Sequence, residues 1–474
     1  MKNLENLKIS KVLNHFEEIS KIPRGSGNEK EISNYLVNFA KKLGLEVIQD
    51  EALNVIIKKP ASKGYENAPT VIIQGHLDMV CEKNKDTIHD FLKDPIELIV
   101  KEDSIYANGT TLGADDGTGV AYMLALLADP NAKHPALECV FTVQEEVGLF
   151  GALALKKEYF KAKRMINLDD GGETISCMSS AGGVRVNINK AYEKTTVSDP
   201  VYRLEVKGLH GGHSGGAINE ERGNANRILA RLLYVIDDVQ IVDFEGGDKD
   251  NAIPREATAI FATALTYDEV NEKITALFNN IYKEYEGSDA GLYMVLEQAQ
   301  ANEALSKASS KDLLKFLLIV PNGLYHSSMQ IEGLPTASAN LASVHIQDQI
   351  IIHCSLRGAS ASFIEDLENM VSILCESFNY EVEFTAGYPA WSYDAVSNLR
   401  ETMKEVCLKM YGKELELIAV HGGLECGVFK TMIPDLEIAT MGPIMFDIHT
   451  PQERLDLASF DRTFDFLKAI LEQL

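Results

Sequence analysis

Three things are scarce in this chain of 474 residues, and each scarcity excludes a class of protein. Positive charge is the first. There are 45 Lys+Arg against 70 Asp+Glu, a formal charge of −25. A surface so acidic repels phosphate, which argues against nucleic acid or an anionic membrane as a partner. Paired thiols are the second. The seven cysteines, Cys81, Cys139, Cys177, Cys354, Cys375, Cys407 and Cys426, are odd in number, scattered, and form no Cys-x-x-Cys pair. That excludes a disulfide frame or a thiolate zinc site and fits reduced thiols in a cytosol. Long apolar runs are the third. The longest, Gly117 to Ala128, falls short of the roughly 20 residues that span a bilayer. Met1 to Lys11 is charged and lacks a signal peptide's apolar stretch. A soluble cytoplasmic protein is expected. Its 45% hydrophobic and 24% charged composition is that of a folded chain. Its length suggests about two to four domains.

The first part alternates helical and strand patterns. Asn3 to Ile19 and Glu29 to Lys42 carry helical periodicity, and Gly117 to Ala128 reads as a buried helix. Thr70 to Gln74, Leu137 to Val143 and Arg164 to Leu168 read as strands. This alternation implies an α/β domain with a doubly wound, mostly parallel mixed sheet. After Gly182-Gly183 the order changes. Tyr202 to Leu296 reads as one β-α-β-β-α-β unit of ferredoxin-like type, and Asp312 to Phe384 as a second, looser α+β unit. From Tyr388-Pro389 the α/β alternation returns, ending in helix Ser459 to Glu472. The expected layout is a large domain in two segments, residues 1–182 and 388–474, with a smaller domain inserted at 183–387.

The chemistry-bearing residues fall in five clusters: His76-Leu77-Asp78, Asp115-Asp116, Glu145-Glu146, Asp169-Asp170, and Phe446 through His449. Four follow predicted strands and one opens a helix. In open α/β sheets the carboxyl ends of the strands converge on one crevice, so these unlinked segments meet there. So many carboxylates would repel one another, or take up protons, unless divalent cations neutralise them. A mixed imidazole and carboxylate set suits two Zn²⁺, or Co²⁺ or Mn²⁺. Asp115, flanked by Gly113 and Gly117, is the natural bridge between two ions. His76 and Asp78, two apart on extended chain, face one side, so Asp78 is placed to orient the imidazole. Of Glu145 and Glu146, one binds metal and the other takes a proton from water. Each piece alone is commonplace, since acidic pairs are usually solvated or cap helices. Their ordered coincidence at strand ends carries the reading.

The sequence resembles the aminoacyl-histidine dipeptidases, or cytosol non-specific dipeptidases, within the clan of di-zinc peptidases. The matching stretches are Gly75 through Val80, Leu112 through Asp115, Glu145 through Leu149, Ile166 through Asp169, Gly211 through Gly215, Asn251 through Glu256, His421 through Gly427, and Gly442 through Pro451. They span nearly the whole chain. The resemblance implies that His76 and Asp169 bind one metal and Glu146 and His449 the other, with Asp115 bridging. It implies that Asp78 orients His76 and that Glu145 is the general base. Two positions depart from the family pattern. Asp116 stands where Asn is frequent, and Asp170-Gly171-Gly172 stands where Ser followed by acidic residues is expected. The second leaves both Asp169 and Asp170 as candidate ligands, with spacing from the strand favouring Asp169.

In the inserted domain, the run Gly208 through Gly216 lacks the pattern of a phosphate loop. By resemblance, His213 within it donates to the substrate carbonyl and its oxyanion. Arg357, at the end of a predicted strand, reads as a clamp on a substrate carboxylate, which would select dipeptides. Asn251 and Glu425 are further candidates for substrate binding. The resemblance implies that the inserted domain is a lid and dimerisation domain and that the chain forms a homodimer. The expected function is a cytoplasmic di-zinc dipeptidase acting on unblocked dipeptides, Xaa-His included. The rivals are an amidohydrolase of N-acyl amino acids and a metal-free binding protein that kept the fold.

Overall fold

The computed structural model describes residues 11–474. By their internal contacts the residues fall into two compact units. One comprises the described residues up to Ser180 together with Trp391–Ala419 and Leu424–Leu474. The other comprises Ala181–Ala390 and Val420–Gly423. Residues 420–423, which the sequence reading leaves in the last α/β segment, thus group with the second unit.

The first unit is built on a six-stranded mixed sheet. Its order is Glu46–Gln49, Val55–Lys59, Leu137–Thr142, Val71–His76, Arg164–Asn167 and Glu437–Thr440. The last four run parallel to one another, and the first two join antiparallel. Val71–His76 and Leu137–Thr142 are buried along their whole length. That is why they read as continuous apolar runs rather than alternating ones. The short hairpin of Glu46–Gln49 and Val55–Lys59 is absent from the sequence reading, because four- and five-residue strands give too brief a period-2 signal.

Helix Ala114–Ala128 is buried from Ala114 to Leu127. It packs against helix Lys11–Ser20 and the central strand Val71–His76. Residues 3–10 of the expected first helix lie outside the described residues. At the core, Tyr122 stacks on Phe460 with ring centroids 4.9 Å apart, and its hydroxyl donates to the Phe460 carbonyl. Helices Lys30–Lys42, Asn398–Tyr411 and Leu457–Leu471 complete the layers. In Lys30–Lys42 the buried Ile32, Leu36 and Ala40 recur every four residues, which defines the core-facing stripe.

The second unit has its own core and one nine-stranded antiparallel sheet. Its main path runs Tyr293–Ala299, Val201–Lys207, Ala257–Ala262, Gln240–Gly246, Pro335–Ile346, Ile350–Gly358, Gly182–Lys190, Glu381–Tyr388, with Gly323–Ser327 also paired to Pro335–Ile346. The two α+β halves expected from the sequence are therefore one continuous sheet. They join through only two residue pairs, Glu245 with His345 and Gly246 with Val344. A seam that short leaves no sequence signal of its own. The sequence pattern predicts a helix over Val270 to Tyr285, and the observed helix, Tyr267–Tyr285, begins three residues earlier. A reciprocal cap explains this: Thr266 accepts from the Glu269 amide, and the Glu269 carboxylate accepts from the Thr266 amide.

Candidate metal centre

Within the first unit, three neighbouring parallel strands end beside one another at His76, Thr142 and Asn167. His76 is itself the end of one strand, and the residues after the other two supply Glu145-Glu146 and Asp169. Helix Ala114–Ala128 supplies Asp115 at its first turn, where Gly113 takes the left-handed conformation with φ of 70°. A glycine is required there, since other side chains are strained at that φ. Gly75 has a different reason: a Cβ on it would lie 2.1 Å from the Asp116 carboxylate. The group approaching Gly117 is the Arg24 guanidinium.

The two oxygens of Asp115 face two different sets of donors. Its Oδ1 is 3.0 Å from His76 Nε2, which in turn lies 3.8 Å from Asp169 Oδ1. Its Oδ2 is 3.1 Å from His449 Nε2, which also lies 3.1 Å from Glu146 Oε1. His76, Asp115 and Glu146 each offer one atom within 4.8 Å of the others. The Glu146 oxygen is fully buried yet accepts no hydrogen bond of proper geometry. Asp170, by contrast, is occupied elsewhere. Its Oδ2 accepts from the Thr440 hydroxyl and the Cys177 amide, and its Oδ1 from the Gly171 amide.

Asp78 is fully buried and does two things. Its main-chain carbonyl lies 3.1 Å from His76 Nδ1, with its carboxylate at 3.6 Å. Its carboxylate also accepts from the Glu145 amide at 3.0 Å, the Glu146 amide at 3.2 Å and the Ser26 hydroxyl at 2.8 Å. It therefore fixes the backbone of the acidic pair as well as the imidazole. Glu425, 1% exposed, accepts from Gln74 Nε2 and Thr142 Oγ1 beneath the strand ends. Its second oxygen is buried without a partner.

The protonation pattern is that of carboxylates and imidazoles crowded together away from water. Burial pushes the Asp169 and Glu145 carboxyls well above the usual range, and neighbouring carboxylates add to it. Burial also pushes Asp116 up to about 8 and Glu425 up to about 7. The Asp115 and Glu146 carboxylates beside it, Asp115 accepting its Nε2–H, hold His449 up at about 10. Burial pulls His76 down, but Asp115 and Asp78 outweigh it and keep the ring charged. Burial opposes ionisation of Asp115, yet His449 and His76 outweigh it and hold the carboxyl well below its ordinary value. Imidazole nitrogens and carboxylate oxygens in this mixture fit borderline divalent cations, and the buried Glu146 oxygen, which accepts no hydrogen bond, fits a ligand atom.

The remaining candidates lie in the second unit. His213 Nδ1 accepts from the Gly215 and Gly216 amides, each at 3.2 Å, which leaves the ring proton on Nε2 in the neutral form. His213 and Asn251 line one cavity of about 450 Å³. Arg357 is 7% exposed and donates to the Tyr388 hydroxyl at 2.9 Å, while its Nε is buried without a partner. The sequence reading includes His421 in a matching stretch but gives it no role. This residue is 5% exposed and lies 2.7 Å from Ser338 Oγ through Nε2. Burial, then the nearby Arg357 charge and His213, push its imidazole down to about 3. Arg24 and Glu453 are missed for a plain reason: a single charged residue outside any cluster gives no sequence signal.

Comparison with known proteins defines the class. Residues 72–473 match the model of peptidase family M20/M25/M40, and the chain belongs to that family. The chain is similar over its full length to the cytosol non-specific dipeptidase of Escherichia coli (strain K12). The two are 34% identical over 482 residues, covering 100% of this chain and 99% of that one. The structure resembles the crystal structure of the aminoacylhistidine dipeptidase from Vibrio alginolyticus, with TM-score 0.88 and 31% identity, covering 100% and 98% of the two chains. An aminopeptidase from Bacillus cereus shares the fold at TM-score 0.57 and 19% identity, covering 98% of each chain. Among the described residues, no helix is long and apolar enough to cross a membrane.

Proposed function

We propose that the chain, a metallopeptidase, is a cytoplasmic dipeptidase that hydrolyses unblocked dipeptides, Xaa-His included, with two Zn²⁺ ions; Co²⁺ and Mn²⁺ suit the same donors. The observation that carries the reading is the split Asp115 carboxylate, one oxygen 3.0 Å from His76 and the other 3.1 Å from His449. His76 and Asp169 hold one ion, Glu146 and His449 the other, and Asp115 serves both. The full-length similarity to dipeptidases supplies the substrate class.

The bound ions supply Lewis acidity at the scissile carbonyl and lower the pKa of the attacking water. The chain's own residues do the rest. Glu145, whose backbone is fixed by Asp78, accepts the proton of that water and returns it to the leaving amine. His213 donates through Nε2 to the oxyanion, a role supported by the two amides that occupy its other nitrogen. Arg357 clamps the substrate's terminal carboxylate, which supplies an acceptor for its buried, unpartnered Nε–H. Asn251, on the cavity that His213 lines, contacts the substrate backbone. Glu425 acts beside the strand ends, where its charge reaches His76 and Glu145.

The second unit is the lid and dimerisation domain. The enzyme works as a homodimer in which His213 of the partner subunit completes each site. A panel of dipeptides, tripeptides and N-acyl amino acids, assayed with and without chelator, tests the function. Chelator-sensitive cleavage confined to free dipeptides is expected. Preference for N-acyl amino acids would establish the amidohydrolase instead, and a protein without turnover or bound metal would establish a binding role.

A further inference from the structure

We infer that Glu453 is a positioning residue for the metal centre: it fixes the turn that aims the Asp115 carboxylate, with Arg24 fastening the same turn from its other side. Glu453 is 2% exposed. Its Oε2 accepts from the Leu112 amide at 2.7 Å and the Gly113 amide at 3.0 Å. Its Oε1 accepts from the Ala114 amide at 2.8 Å and the Asp115 amide at 3.4 Å. Four successive amides thus converge on one carboxylate, and the last belongs to the bridging residue itself. Arg24, also 2% exposed, donates through Nη1 to the Leu77 and Asp78 carbonyls at 2.9 and 3.2 Å and through Nη2 to the Gly113 carbonyl.

A carboxylate near a helix start often does no more than cap the helix. Two features set this one apart. Glu453 is four residues past His449, and its own amide donates to the Thr450 carbonyl, so the segment bearing one ligand grips the turn bearing another. Arg24 then links that turn to the two residues following His76. A ligand that serves two ions tolerates little misplacement, and weakening the groups that orient ligands costs about 10- to 100-fold in metal affinity.

This inference rests on Asp115 being a ligand, so the experiment tests both. Metal-free wild type, Glu453→Gln, Gly113→Ala, Asp115→Ala and Tyr122→Phe are titrated with Zn²⁺ against a competing chelator, and each is melted without metal. In Glu453→Gln an NH₂ group replaces one acceptor and faces the backbone amides. In Gly113→Ala a Cβ would meet Arg24 at 2.6 Å. Both should bind Zn²⁺ about 10- to 100-fold more weakly than wild type. Tyr122→Phe, which loses a core hydrogen bond on the same helix, should melt lower yet bind as wild type does. If either turn variant fails to fold, the other decides; if neither folds, Glu453 serves folding rather than the site and the inference is overturned. Binding in the turn variants as tight as in Tyr122→Phe overturns it too, provided Asp115→Ala loses metal. If Asp115→Ala keeps its metal, the site reading itself has failed.

Discussion

Glu145 and Glu146 are neighbours in sequence, and their amides are held by the two oxygens of one carboxylate, Asp78, at 3.0 and 3.2 Å. Replacing either by Gln therefore disturbs the backbone equally little. What differs is where each side chain acts. Glu146 Oε1 is 3.1 Å from His449 Nε2, inside the donor set. Burial raises the Glu145 carboxyl well above its ordinary range, as suits a proton acceptor and donor. Glu145→Gln cannot take a proton, so kcat should fall by about 10² to 10⁴, roughly 3–5 kcal/mol of barrier, while both ions stay bound. Glu146→Gln exchanges a charged ligand for a neutral one. Zn²⁺ affinity should fall by at least about 100-fold, and added metal should restore part of the activity. The assay is kcat at saturating metal alongside bound metal per chain after dialysis. Metal loss in Glu145→Gln with retention in Glu146→Gln would show the pair assigned backwards.

Other outcomes follow from the same reading. Arg357→Ala should raise KM for free dipeptides about 10- to 100-fold, the worth of a charge-assisted hydrogen bond, and spare dipeptides amidated at the C-terminus; equal effects on both would make Arg357 structural. Co-refolded His213→Ala and Glu145→Ala should regain about a quarter of wild-type sites by random pairing. A mixture as inactive as its parents, with mixed dimers formed, rules out sharing. His421 is held neutral, its imidazole at about 3 against 6.5 unfolded. The unfolded chain therefore binds more protons, and stability present above pH 6.5 is lost as pH falls toward 3, by about 1.4 kcal/mol per unit. Between pH 6 and 4, wild type should lose roughly 2–3 kcal/mol more than His421→Gln in urea unfolding followed in the second unit; parallel losses would remove His421 as the cause.

The legible part of this molecule is the part that repeats a physical pattern. Val71–His76 and Leu137–Thr142 announce themselves as buried runs ending in charged residues, and that juxtaposition gathered the acidic and imidazole clusters around His76, Asp115, Glu145-Glu146, Asp169-Asp170 and His449, while the roles within them came from the family resemblance. The choice between Asp169 and Asp170 turns on side-chain partners. The Thr440 hydroxyl and the Cys177 and Gly171 amides engage Asp170 elsewhere. Arg24 and Glu453 stayed hidden because their value lies in main-chain atoms distant in sequence. The continuous sheet of the second unit stayed hidden because two residue pairs make its seam. Helix starts were misplaced where a cap rather than periodicity decides them, as at Thr266.

The central claim is that one carboxylate serves two ions, and metal stoichiometry tests it most directly. Metal-free protein is titrated with Zn²⁺ while bound metal and dipeptide hydrolysis are followed together. Activity should reach its plateau only at about two ions per chain, and Asp115→Ala should lose both high-affinity sites. Full activity at one ion per chain, or an Asp115→Ala variant that still holds two, would contradict it.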